Sequence, residues 1–129
     1  MYKLTVTQAH VKLMIEALDL YSRVGCGQYQ EVLNTFGRLF KVPNEKREAL
    51  GKACREIKEG LTDLSDGYYS ITSNETPEKA KISYELMKVL MHKIAWEEHP
   101  EGGHLHIFDG PMKITKEPLA TIKKEETSS

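Results

Sequence analysis

Four interruptions divide this chain, and their spacing constrains the fold more than any other feature. Gly25-Cys26-Gly27, Val42-Pro43, the turn-rich stretch 65–76 closed by Thr76-Pro77, and Pro100 with Gly102-Gly103 each stop a helix. Glycine does so by tolerating positive φ, and proline by losing an N–H and restricting the residue before it. The segments between them, residues 8–24, 28–40, 45–64 and 77–98, repeat their apolar residues at helical period. The spacing predicts a mostly α fold of four helices.

The first helix follows Thr7, a good N-cap. Lys12, Glu16, Asp19 and Arg23 share a narrow polar arc, and Val11, Met14, Ile15, Leu18, Tyr21 and Val24 fill most of the rest, so a largely buried helix is expected. The second is amphipathic, with Tyr29, Val32, Leu33, Phe36, Leu39 and Phe40 opposite Gln30, Glu31, Asn34, Arg38 and Lys41. The third starts at an Asn44 cap and carries a core stripe of Leu50, Cys54, Ile57, Leu61 and Leu64. Its far face offers Glu48 to Lys52 and Arg55 to Glu59 at i,i+4 spacing. In the fourth, capped by Thr76, only Lys81, Glu85, Lys88 and His92 form a polar strip, which makes it the central helix.

Tyr2–Val6 alternates and reads as a short N-terminal strand. Residues 104–115 read as a strand, a turn at Asp109-Gly110 and a second extended piece, weakened by Pro111. A small β element is therefore expected beside the four helices. With 129 residues the chain is read as a single helical domain over 1–120, followed by a disordered tail over 121–129.

Charge and composition exclude several classes. Net charge is -1, so the whole molecule is no electrostatic partner for nucleic acid or an anionic membrane surface, and no segment is apolar enough to span a bilayer. The chain opens with no secretory pattern, and its two cysteines make no disulfide framework, which points to a reducing cytoplasm. The charge is uneven. Residues 38–58 hold seven basic and three acidic groups, and residues 59–129 hold eight against thirteen. That asymmetry suits an anionic ligand, or a homo-oligomer joined through unlike patches; its structural alternative is a solvated helix face.

Two segments carry candidate chemistry. In Tyr21–Gln28, the start of the second helix directs backbone N–H groups into a loop made by Gly25 and Gly27. Arg23 supplies a planar two-pronged donor there, with Arg38 or Lys41 of a neighbouring subunit closing the site. The alternative is structural, a tight helix–helix turn with Arg23 paired to Asp19. Neither a Walker loop nor a dinucleotide loop is present. In the second segment, 96–106, Trp96 either packs under a glycine turn or presents a face to a base. His99, His104 and His106 form a sparse metal set that would serve a metal-dependent hydrolase, although none of the standard zinc signatures is present. The expectation is no metal and no cofactor. Cys26 is a weak nucleophile candidate and reads better as a small buried residue. Gln28, Gln30, Asn34 and Arg38 give the second helix a helix-turn-helix alternative that the overall acidity opposes.

Leu18-Asp19-Leu20-Tyr21-Ser22-Arg23 through Gly27-Gln28, Ala95-Trp96 through Pro100-Glu101-Gly102-Gly103, Phe108-Asp109-Gly110-Pro111-Met112 and Glu117-Pro118-Leu119 together resemble the pattern of a family of short phage and prophage accessory proteins with no assigned activity. The likeness runs from about residue 4 to residue 122. It implies a bacterial cytoplasmic setting and an accessory role, and by analogy with small phage proteins that sequester host nucleotide signals, an anti-defence one. The resulting expectation is a non-catalytic binding protein. Its ligand is an anionic nucleotide-like signal or a host protein, with Arg23, Gly25, Gly27, Gln28, Arg38 and Trp96 as the binding residues.

Overall fold

A computed structural model describes residues 1–103 and 109–125. It contains four helices, α1 (Gln8–Gly25), α2 (Gln30–Leu39), α3 (Asn44–Leu61) and α4 (Glu78–Glu98), so the mostly α expectation holds. The expected small β element is not seen among the described residues, where there is no strand. Tyr2 and Leu4 lie exposed on an unladdered N-terminal segment. In 109–115 the backbone N–H groups of Ile114 and Thr115 go to a side chain on α4, as described below. Residues 104–108 of the expected hairpin, and 126–129 of the expected tail, lie outside the described residues. No helix among the described residues is long and apolar enough to cross a membrane.

The chain forms two compact units, residues 1–19 with 82–129, and residues 20–81, and α1 and α4 contribute to both. In the first unit, Thr7 caps α1 reciprocally. Its hydroxyl accepts from the His10 N–H at 3.2 Å while its own N–H donates to His10 Nδ1 at 3.0 Å, a capping box with histidine in the glutamate's place. α1 is amphipathic rather than largely buried: Val11 is enclosed, whereas Leu13 and Tyr21 face solvent. Ser83 of α4 donates to the Leu18 carbonyl at 2.7 Å, which fixes α4 against this part of α1.

α4 is the most enclosed helix, with Ser83, Glu85, Met87, Val89, Leu90 and Ala95 buried around its circumference. Glu85 departs from the expected polar strip. Only 3% exposed, it accepts hydrogen bonds from the N–H groups of Ile114 (2.6 Å) and Thr115 and from the Thr115 hydroxyl (2.9 Å). Counting 100° per residue, Glu85 and Ser83 lie about 160° apart on α4. The segment after Gly110 therefore straps the helix on the side away from α1. Lys113 holds the bend by donating to the carbonyls of Thr115 and Glu117. Near the end of the described chain Ile122 is half-buried and Lys124 lies 3.5 Å from Glu97.

In the second unit α1 closes with a Schellman arrangement. The Gln28 N–H donates to the Arg23 carbonyl and the Gly27 N–H to that of Val24, both at 2.9 Å, with Gly27 at φ 93° in the left-handed position. α2 and α3 follow as an antiparallel hairpin. Gln30 Nε2 donates to the Gly51 carbonyl at 2.9 Å, and a Cβ added at Gly37 would sit 3.5 Å from the Arg47 guanidinium, so progress along α2 matches retreat along α3. These polar and glycine edges make the contact. Much of the apolar stripes expected in the core stays outside it: Leu39, Phe40 and Leu61 are 65%, 79% and 70% exposed, and Val32, Phe36, Leu50 and Ile57 are also exposed, whereas Tyr29, Leu33, Cys54 and Leu64 are half-buried. Neither i,i+4 ion pair expected on α3 closes among the described residues.

Candidate functional site

The site is built at the open end of the hairpin, opposite the 40–43 connection. After α1 turns over at Gly27, residues 27–31 enter α2, and Cys54, Arg55 and Lys58 of α3 face them. The loop following α3 brings Gly67 and Tyr68 alongside, enclosing a cleft of about 280 Å³. That loop is pinned by four bonds. The Tyr69 N–H donates to the Cys26 carbonyl (2.8 Å), Lys58 Nζ to the Gly67 carbonyl (3.2 Å), the Thr76 hydroxyl to the Ser70 carbonyl (2.7 Å), and the Tyr69 hydroxyl to Asp63. The hydrogen bond to Asp63 holds the Tyr69 phenol above its ordinary pKa. Thr76, expected as the cap of α4, is instead buried as a clasp of this loop.

The cleft offers cationic, amide and aromatic groups. Arg55 has no hydrogen bond or ion pair among the described residues, whereas Lys58 is tied to Gly67. Glu31 is the opposing carboxylate. Gln28 is positioned by Arg23, whose Nη1 donates to Gln28 Oε1 at 3.4 Å. Tyr29, half-buried, and Tyr68, exposed, are the two aromatic residues lining the cleft.

The expected binding residues divide. Gly27 and Gln28 line the cleft and Arg23 reaches it through Gln28. Gly25 allows the close approach of α1 to the start of α4, since a Cβ there would lie 2.4 Å from the Ala80 Cβ. The N–H groups of Gly27 and Gln28, expected to face an anion, are committed to the end of α1. Arg38 stands at the other end of α2, eight residues or about 12 Å from Gln30. Trp96 belongs to the other unit, where Gly102, at φ 83°, brings its backbone over the indole: a Cβ there would lie 2.9 Å from Trp96 Cη2. It packs under the glycine turn, with His92 edge-on at 6.4 Å. Arg55 and Lys58 were missed as site residues because helical periodicity assigns them only to a polar face; which face closes a cleft depends on the hairpin register.

The alternatives fare as follows. Cys26 is buried, and burial raises its thiol pKa despite the Thr76 hydrogen bond and the positive charge of Lys81, which fits a small buried residue. Gln30 spends its amide on Gly51 and Asn34 bonds Glu31 at 3.5 Å, which removes two of the side chains a recognition helix would extend. His99 lies 3.9 Å from Glu101, while His104 and His106 lie outside the described residues, among which no group of three metal-ligating side chains converges. Comparison with protein-family models, curated proteins and solved structures finds no match for this chain.

Proposed function

We propose that this chain is a non-catalytic binding protein whose hairpin cleft takes an anionic, nucleotide-like small molecule. The observation that carries this reading is Arg55: an unpaired guanidinium lining a cleft that also presents Lys58, two tyrosine rings and the Gln28 amide. Guanidinium groups grip phosphate with two parallel hydrogen bonds, and aromatic faces stack on bases. At about 280 Å³ the cleft lies just below the range of roughly 300 to 1,000 Å³ for ligand sites, so it takes at most one nucleotide unit and leaves the remainder of a larger cyclic nucleotide outside. The resemblance to phage accessory proteins implies an accessory role in a bacterial cytoplasm, and analogy with small phage proteins that sequester host nucleotide signals makes sequestration the proposed role.

Calorimetric titration of nucleoside monophosphates, cyclic di- and trinucleotides and cyclic ADP-ribose isomers tests it. A charge-assisted hydrogen bond is worth about 1.5 to 3 kcal/mol, so Arg55→Ala is expected to weaken binding by about ten- to a hundredfold. Arg23→Ala, acting through Gln28, is expected to cost less. Failure of every probe to bind wild type more tightly than about 100 μM, at a free energy of about 5.5 kcal/mol, or equal binding by Arg55→Ala, contradicts the proposal.

A further inference from the structure

The hairpin cleft carries a carboxylate beside its cations, and where each stands constrains a ligand beyond its negative charge. Gln30 bonds the Gly51 carbonyl, so α2 and α3 are level at those residues. Arg55 lies four residues past Gly51 on α3, and Glu31 one residue past Gln30 on α2. Because the helices are antiparallel, the two backbones stand about 7 to 8 Å apart along the axes, with roughly 8 to 10 Å between the axes themselves. No ion pair joins Glu31 to Arg55 among the described residues. A carboxylate so placed would only repel a phosphate held by Arg55 and Lys58, unless the same ligand brings hydrogen-bond donors to it.

The side chains on the α2 wall sort into acceptors and a donor. Glu31 is half-buried and accepts from Asn34 Nδ2 at 3.5 Å through Oε1, which leaves Oε2 and most of its lone pairs open. Gln30 spends its Nε2 on Gly51, so its Oε1 remains an acceptor. Gln28 is turned the other way. Arginine has donors only, so the atom facing Arg23 Nη1 at 3.4 Å is Oε1, and Gln28 Nε2 is left to donate. Acceptors beside an amide donor complement a base edge that carries adjacent donors next to a carbonyl. Guanine has that edge, with N1–H and N2–H₂ beside O6. Adenine presents the reverse, an acceptor at N1 beside its N6 donor, and cytosine and uracil offer no two adjacent donor groups. The faces of Tyr29 and Tyr68 stack on any base and leave the choice to these polar groups. Resting on the nucleotide reading above, we infer that the cleft selects a guanine base: Glu31 accepts from N1–H and N2–H₂, Gln28 Nε2 donates to O6, and Arg55 holds the phosphate.

Calorimetric titration of the full chain with the 5′-monophosphates of guanosine, inosine, adenosine and cytidine tests this. The guanosine nucleotide is expected to bind at least about tenfold more tightly than those of adenosine and cytidine, with inosine, which lacks the N2 amine, in between. Glu31→Gln separates base recognition from simple charge. It removes a negative charge from the cleft, so electrostatics alone would tighten every nucleotide, whereas loss of the paired acceptor is expected to weaken the guanosine nucleotide by about tenfold while the adenosine one holds steady or tightens. Gln28→Leu is expected to weaken the guanosine and inosine nucleotides alike, since both carry O6. Circular dichroism checks the fold of each variant, and the base series on wild type needs no variant. Equal binding of all four, adenosine ahead of guanosine, or guanosine binding that Glu31→Gln leaves unweakened overturns the guanine assignment and leaves the nucleotide cleft standing. Binding of none of the four more tightly than about 100 μM overturns the assignment too, and failure of the cyclic nucleotides as well brings down the nucleotide reading with it.

Discussion

Glu85 shows at the scale of one residue how a buried carboxylate serves structure. Burial alone would raise its pKa, but the N–H groups of Thr115 and Ile114, the Thr115 hydroxyl and the nearby Lys113 charge outweigh it and hold the group below the ordinary glutamate value of 4.5. A carboxylate with a lowered folded pKa contributes its stability above the unfolded value and loses it as pH falls through the folded one. Thermal melts are therefore expected to show wild type more stable than Glu85→Gln by a constant margin above about pH 5, about 1 to 3 kcal/mol, shrinking as the pH drops below about 4. A margin that stays flat down to pH 3 contradicts this account. The sequence concealed this role because Glu85 shares a helical strip with Lys81, Lys88 and His92, and its partners lie 29 and 30 positions further along.

At the scale of elements, the breakers at Gly25-Cys26-Gly27, Val42-Pro43, Thr76-Pro77 and Pro100 made the four helices legible, and the observed ends lie within a few residues of those expected. What the pattern did not reveal was which face of α2 and α3 pairs with which. Periodicity identifies an apolar stripe, but here the hairpin closes on Gln30, Gly37, Arg47 and Gly51, where small side chains and an amide allow close approach. No strand is seen among the described residues of the expected β element, where Glu85 takes the Ile114 and Thr115 N–H groups that a ladder there would use. The end of α2 supplies a test of local backbone physics. Lys41 sits at φ 53°, and the Val42 N–H donates to the Gly37 carbonyl at 2.8 Å, so a lysine occupies the left-handed closing position usually held by glycine. Lys41→Gly is expected to stabilise the chain by about 0.5 to 1 kcal/mol in urea unfolding, the relieved strain exceeding the added unfolded-chain entropy. Destabilisation of that size would show that the Lys41 side chain matters more than its backbone.

At the scale of the whole molecule, the proposed site is the cleft on one side of the hairpin, where Arg55 is placed to meet an anion. Part of the cleft was legible, because Gly27 and Gln28 mark the turn that opens it. Arg55, Lys58 and Tyr68 were not, because they reach it only through the hairpin register and the loop clasped by Thr76. The most direct measurement is an amide NMR titration of the full chain with the tightest nucleotide from the calorimetric screen. The expected result is a set of shifts concentrated at residues 27–31, 54–58 and 67–68, with the Arg55 guanidinium resonance among those that move most. Shifts confined to 92–102 around Trp96, or none near Arg55 at saturating ligand, would contradict the assignment of the cleft as the binding site.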